Sequence, residues 1–141
     1  MQNSIRLVCL RKSLLYFINF LNSHEINPLK PEKTILLDEI IHFIENHLSE
    51  ELSAKRIAAH FLVSESSINQ LFSKQISLSL YRYITQRRLI EAKNLISSQT
   101  PLKKLPELCG FSDYSVFYKA FTKQYGISPK EYKNRIFKMQ Q

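Results

Sequence analysis

Glycine is nearly missing from this chain: 141 residues contain two, Gly110 and Gly126. No β-branched alternation is sustained anywhere, and apolar residues recur at helical spacing instead. The expected fold class is therefore all-α. Cysteine is as scarce. Cys9 and Cys109 lie far apart, which excludes a disulfide framework and favours free thiols in a reducing cytosol. Long apolar runs are absent, so no segment is expected to span a bilayer. Arg6, Arg11 and Lys12 precede the apolar run from Leu14 to Ile18, but no small-residue cleavage site follows. Metal-ligand spacing is also lacking. His42 and His47 are five apart, and neither they nor His24 and His60 pair with a cysteine. No phosphate loop, nucleophile elbow or dinucleotide fingerprint occurs. These absences point away from an enzyme, and no cofactor or metal is expected.

Positive charge is what the chain has in excess. Lys and Arg number 20 against 12 Asp and Glu, a formal net charge of +8. Residues 1–33 carry 5 basic and 2 acidic side chains, residues 34–99 carry 7 and 7, and residues 100–141 carry 8 and 3. Such a balance favours a polyanionic partner, with most of the attraction in the last third.

Leu7, Leu10, Leu14, Phe17 and Leu21 step by three and four along a helix expected from about Ser4 to Asn22. Two heptads fit either a helix packed on its own domain or a dimerisation helix. Ser23 to Lys33 holds two prolines and is expected to be a linker. A helix is expected from about Thr34 to Leu48, with Leu37, Ile40, Ile41, Ile44 and Leu48 on one face. Ser53, Ser64, Ser79 and Ser112 or Asp113 can each cap a further helix. The helix after Ser79 is the long one, to about Ser97. Pro129 allows one last turn through Tyr132. The chain thus divides into residues 1–33, an N-terminal helix and linker, and residues 34–141, a helical domain.

That domain repeats itself. Ser64 to Tyr83 set against Asp113 to Tyr132 gives identity at six positions: Ser66/Ser115, Phe72/Phe121, Lys74/Lys123, Gln75/Gln124, Ser79/Ser128 and Tyr83/Tyr132. Upstream the offset drops by one and pairs Ile57 with Leu105, so the second turn is one residue longer. Each copy reads as a short helix, a tight turn and a second capped helix, which is helix-turn-helix logic.

The segments LSAKRIAAHFLVSESSINQLFSK, RRLIEAKNLI and CGFSDYSVFYKAFTKQYGISPKEY resemble the DNA-binding domain of the AraC/XylS family of transcription regulators. The resemblance runs from about Ile35 to Tyr132. It implies two helix-turn-helix subdomains joined by a linking helix of about 19 residues, or about 28 Å. That is near the ~34 Å of one DNA turn, so two recognition helices could enter successive major grooves. The implied function is sequence-specific binding of double-stranded DNA by a transcription regulator, an activator acting in the bacterial cytoplasm at the nucleoid. RNA polymerase is a further candidate partner, as is a homodimer or heterodimer mate held through the N-terminal helix. No membrane partner is implied. Residues 1–33 are too few for a ligand barrel, so no small effector is expected. The alternative is a truncated family member that modulates a longer regulator by protein interaction.

The helix-turn-helix frame aims Glu65, Ser66, Ser67, Asn69 and Gln70 outward in the first unit. Asn or Gln can bond adenine, and Glu can accept from cytosine. No Arg stands there for guanine. In the second unit Tyr114, Ser115, Tyr118 and Lys119 hold the equivalent positions. Lys74 and Lys123 are expected to bind phosphate, with Lys55, Arg56, Lys103 and Lys104 as further candidates. Arg88 is expected to be partly buried and hydrogen-bonded, and Cys109 and Phe111 to serve core or turn. Leu62 stands in the turn where the family usually carries Gly, so a positive φ there would be strained; Ser77 also replaces a family Gly, which its repeat mate Gly126 keeps. Pro106 stands where the family carries a small helical residue, so the first helix of the second unit should be shortened or kinked, starting near Leu105.

Overall fold

The computed structural model describes residues 31–139, with side chains from Ile35 onward. The stripe Leu7, Leu10, Leu14, Phe17 and Leu21 lies outside the described residues. Seven α-helices and one 3-10 turn follow: α1 (Pro31–Asn46), α2 (Ala54–Phe61), α3 (Glu65–Gln75), α4 (Leu80–Ser97), the turn Leu102–Lys104, α5 (Leu105–Cys109), α6 (Tyr114–Tyr125) and α7 (Pro129–Lys138). No strand occurs among the described residues.

The caps fall where short polar side chains stand before apolar periods. Ser53, Ser64, Ser79 and Ser128 each accept, through Oγ, the backbone N–H three residues on, at 3.0–3.3 Å. Of the two candidates before α6, Asp113 is the cap: its Oδ1 accepts from Val116 N at 2.8 Å. Each such bond satisfies an amide that the first helical turn would otherwise leave without a partner.

Two expected boundaries shift. Residues 31–33, expected in the linker, are helical and belong to α1. α7 does not stop at Tyr132 but runs to Lys138. Ile136 packs against the second core, and Arg135 pairs with Glu131 one turn away at 2.7 Å. These contacts carry the helix beyond the single turn that the local pattern indicated.

Two cores form on the two halves of α4. Leu80, Tyr83 and Ile84 join Ile40, Ile44, Ile57, Ile68 and Phe72 in the first. Leu89, Ala92 and Ile96 join Leu105, Cys109, Phe117 and Phe121 in the second. The change of allegiance occurs between Ile84 and Leu89, within about one helical turn.

The turns repeat as the sequence does. Leu62, the residue after α2, has φ 54°, and Gly110, the residue after α5, has φ 80°. In both, an amide reaches back over the turn: Val63 N to Ala58 O at 3.1 Å, and Phe111 N to Pro106 O at 2.8 Å. This is a Schellman closure that needs a left-handed residue. Ser77 (φ 57°) and Gly126 (φ 73°) form a second such pair. Left-handed backbone costs a non-glycine residue about 1–2 kcal/mol. Each buried Leu or Ile contributes roughly 1.5–3 kcal/mol, so packing on either side of the turns holds Leu62 and Ser77 in place.

Pro106 shortens its helix as expected, to the five residues of α5. The penalty of an interior proline does not arise. Pro106 sits in the first turn of α5, where its missing N–H has no partner to lose. The preceding residues close a 3-10 turn instead, with Lys104 N bonded to Pro101 O at 3.0 Å. Pro106 itself is buried.

Candidate nucleic-acid interface

α3 and α6 are the second helices of the two helix-turn-helix units. Each presents one buried face to α4: Ile68, Leu71 and Phe72 from α3, and Phe117 and Phe121 from α6. The opposite faces are open. Glu65, Ser66, Ser67, Asn69, Gln70 and Lys74 are all exposed, as are Tyr114, Ser115, Tyr118, Lys119 and Lys123. The structure thus groups the expected residues on one open face of each helix, buried under no neighbour.

The two faces differ in chemistry. On α3 the groups are neutral amides and hydroxyls with one carboxylate, and Lys74 brings a cation only in the last turn. The Ser67 hydroxyl is already engaged, 2.7 Å from the capping Oγ of Ser64. On α6 Tyr114 and Tyr118 lie with ring centroids 6.3 Å apart, and both are 41% exposed. Val116 is equally exposed and was missing from the expected set. It is the repeat mate of Ser67, so the internal repeat contains the signal that identifies it.

Asp113, at the head of α6, has its pKa lowered, first by the Val116 amide and also by Ser112 and Lys119. It stays ionised and holds the helix terminus. The Val116 and Phe117 amides of that turn are satisfied by Asp113, through its side chain and its carbonyl.

Cations near the interface are not equally free. Lys55, Lys103 and Lys104 are exposed. Arg56 is committed elsewhere: it pairs with the Glu50 carboxylate and donates to Glu51 O at 2.6 Å. That hydrogen bond to Arg56 is the main cause lowering the Glu50 pKa.

Arg87 and Arg88 occupy the stretch of α4 where the cores change. Arg87 holds Glu45 of α1 with both carboxylate oxygens, the Nη2–Oε2 contact being 2.8 Å. Sequence offers no sign of this pair, which spans 42 positions. Arg88 is half-buried and donates to two carbonyls, Leu48 O at 3.0 Å and Glu50 O at 2.7 Å. Burial is the first cause lowering its pKa. A hydrogen-bonding role was expected for it; its partners lie 38 and 40 residues away rather than nearby.

Cys109 is buried, and burial above all pushes its thiol pKa up to about 12. A thiol at neutral pH is no nucleophile. His47 and His60 serve structure. His47 donates Nδ1–H to Phe43 O at 2.7 Å, and both His47 and His60 pack on the Phe43 ring. Among the described residues no group of His, Cys, Asp or Glu could hold a metal ion, and no helix is long and apolar enough to cross a membrane.

Comparison with known proteins agrees with this geometry. A helix-turn-helix domain family matches residues 57–135. The chain is 35% identical over 99 residues to the probable transcriptional regulator LumQ of Photobacterium leiognathi, covering 70% of this chain and 39% of that one. It is 26% identical over 132 residues to the HTH-type transcriptional activator RhaR of Cronobacter sakazakii, covering 90% of this chain and 47% of that one. The chain thus spans less than half the length of these two relatives. The DNA-binding domain of the transcriptional factor AdpA, solved with a target DNA, superposes with a TM-score of 0.67 at 21% identity, over 70% of this chain and 90% of that one. The matched segment, the all-helical fold and the paired units agree, and the chain belongs to the AraC/XylS family, a family of DNA-binding regulators and not of enzymes.

Proposed function

We propose that the chain regulates transcription as an activator, binding duplex DNA with α3 and α6 in successive major grooves. The observation that carries this reading is that both helices are braced on the two halves of one helix and leave their outer faces open. α4 has 18 residues, about 27 Å at helical rise, against ~34 Å for one duplex turn. The DNA would bend to meet both helices. The DNA complex of the AdpA domain and the activator name of RhaR support the reading by similarity.

In this reading Asn69 and Gln70 bond adenine edges and Glu65 accepts from cytosine, with Ser66 and Ser67 permissive. Tyr114, Ser115, Tyr118 and Lys119 read the second groove, and Val116 joins them as an apolar contact for a thymine methyl. Lys74 and Lys123 anchor on phosphate. Leu7, Leu10, Leu14, Phe17 and Leu21 supply a dimerisation helix within residues 1–33, separate from the DNA-binding residues 34–141. RNA polymerase is the further partner, and the site of action is the nucleoid.

Duplex binding titrated against salt tests the reading. Affinity should fall steeply as salt rises. Gln70→Ala should relax preference at one base pair, whereas Lys123→Ala should weaken all duplexes alike and lower the salt slope by about one. A uniform loss from both changes would refute the division between reading and anchoring. Absence of salt-steep duplex binding would favour the alternative, a protein-interaction modulator of a longer regulator.

A further inference from the structure

The two cores meet along α4, and a cleft of about 630 Å³ opens beside that seam, lined by Glu50, Tyr81, Thr85, Glu107, Phe111 and Val116 among others. At its side three backbone or side-chain groups converge from three elements. Leu48 O ends the α1 region of the first unit. Arg88 comes from α4 and donates to that carbonyl and to Glu50 O. Gly110 belongs to the turn after α5 in the second unit. A Cβ on Gly110 would lie 2.1 Å from Leu48 O and 2.9 Å from both Arg88 Nε and Nη2. Backbone of the second unit therefore packs against the Leu48 carbonyl of the first, beside the guanidinium that donates to it.

The repeat shows that this closeness is specific to one turn. Leu62, the mate of Gly110, adopts the same left-handed backbone, yet its side chain is 92% exposed. Left-handed geometry alone did not demand glycine at Leu62. At Gly110 the neighbour does.

We propose that Arg88, with Leu48 O and Gly110, is a positioning junction that sets the spacing of DNA half-sites this protein accepts. The proposal rests on the two-groove reading above. Each inserted base pair moves the second half-site by about 3.4 Å and turns it by about 35°. Two rigidly held helices tolerate only one such phase. Two helices joined by α4 alone could rock about the seam and follow several. A guanidinium suits this task because its planar fork holds two carbonyls at once in fixed geometry.

The test uses the full chain, a duplex selected in vitro for tight binding, and derivatives with one, two or five base pairs inserted between its half-sites. A duplex keeping one half-site serves as reference. Wild type should lose about tenfold or more in affinity on the first two insertions, since the second contact can no longer form. Arg88→Gln and Gly110→Ala should shrink that penalty to about threefold or less while leaving half-site binding within about twofold. They attack the junction from opposite sides, so misfolding of one, seen by melting, leaves the other decisive. Glu45→Gln, which breaks the α1–α4 pair inside the first unit, should lower the melting temperature and keep the wild-type spacing penalty. If both junction variants keep the wild-type penalty, the positioning role is wrong although the two-groove reading stands. If wild type itself binds every spacing equally, the two-groove reading fails and takes the junction with it.

Discussion

The two helix-turn-helix units share a plan and differ in how they satisfy it. The first has a mostly aliphatic core, with Ile40, Ile44, Ile57 and Ile68 essentially buried. The second is built on a chain of rings: Phe111 on Phe117, Phe117 on Phe121, and Phe121 on Tyr125 and Tyr132, at centroid separations of 4.7–5.6 Å. Lys93 caps that chain, 4.8 Å from the Tyr125 centroid. The turns differ in the opposite sense. The second unit places glycine at both left-handed positions, and the first places Leu62 and Ser77 there. At these paired turns the first unit carries backbone strain that the second avoids, although Gln99, after α4, is also left-handed at φ 64°; a fold position can require a conformation without requiring the residue that adopts it most easily.

The contrast between cores has the largest measurable consequence. Phe121→Ala should cost about 3–5 kcal/mol in urea unfolding, and Ile44→Ala about 2–5 kcal/mol. The ring chain matters as described if Phe121 is the costlier; the comparison breaks if Ile44 is. The turns come next. Leu62→Gly should stabilise by about 1 kcal/mol, Ser77→Gly by less, and Gly126→Ser should lose what Ser77→Gly gains. Gly126 has open space where a Cβ would stand, so that exchange isolates backbone strain from packing. Thr122 sharpens the picture of the second core. Its Oγ1 is buried without a partner, so Thr122→Val should be neutral or stabilising by up to about 1 kcal/mol in thermal melting.

The smallest effect is on pH. α6 is capped by a titratable group, Asp113, whereas its counterpart on α3 is Ser64. The Val116 amide lowers the folded pKa of Asp113. Its contribution is therefore complete above the unfolded value of about 3.9 and is lost as pH falls through the lower folded value. Asp113→Asn keeps a capping oxygen and should flatten the acid side of the melting profile below pH ~4. An unchanged acid side would show that the cap contributes nothing distinctive to the second unit.

Much of this was legible in the residues. Serine or aspartate before an apolar period marks a helix start whatever the helix later packs against, and five helices begin at such residues. The repeat marks the outward face of both helices, and at the same offset it pairs Val116 with Ser67. The length of α7 was not legible, because Ile136 extends that helix through a core assembled from distant residues. Nor was the commitment of Arg56, which as a bare residue type resembles any phosphate-binding cation.

Periodicity, capping and duplication are properties of residues within a turn or two of one another, so the chain alone determined that it folds as two capped helical pairs with an exposed face on each. How those pairs are held was decided only in three dimensions. Arg88, Leu48 and Gly110 share a junction across some sixty positions, and Glu45 meets Arg87 across forty-two. A hydrogen bond or a glycine packed on a distant carbonyl depends on where two cores bring their edges, and no local pattern encodes that distance.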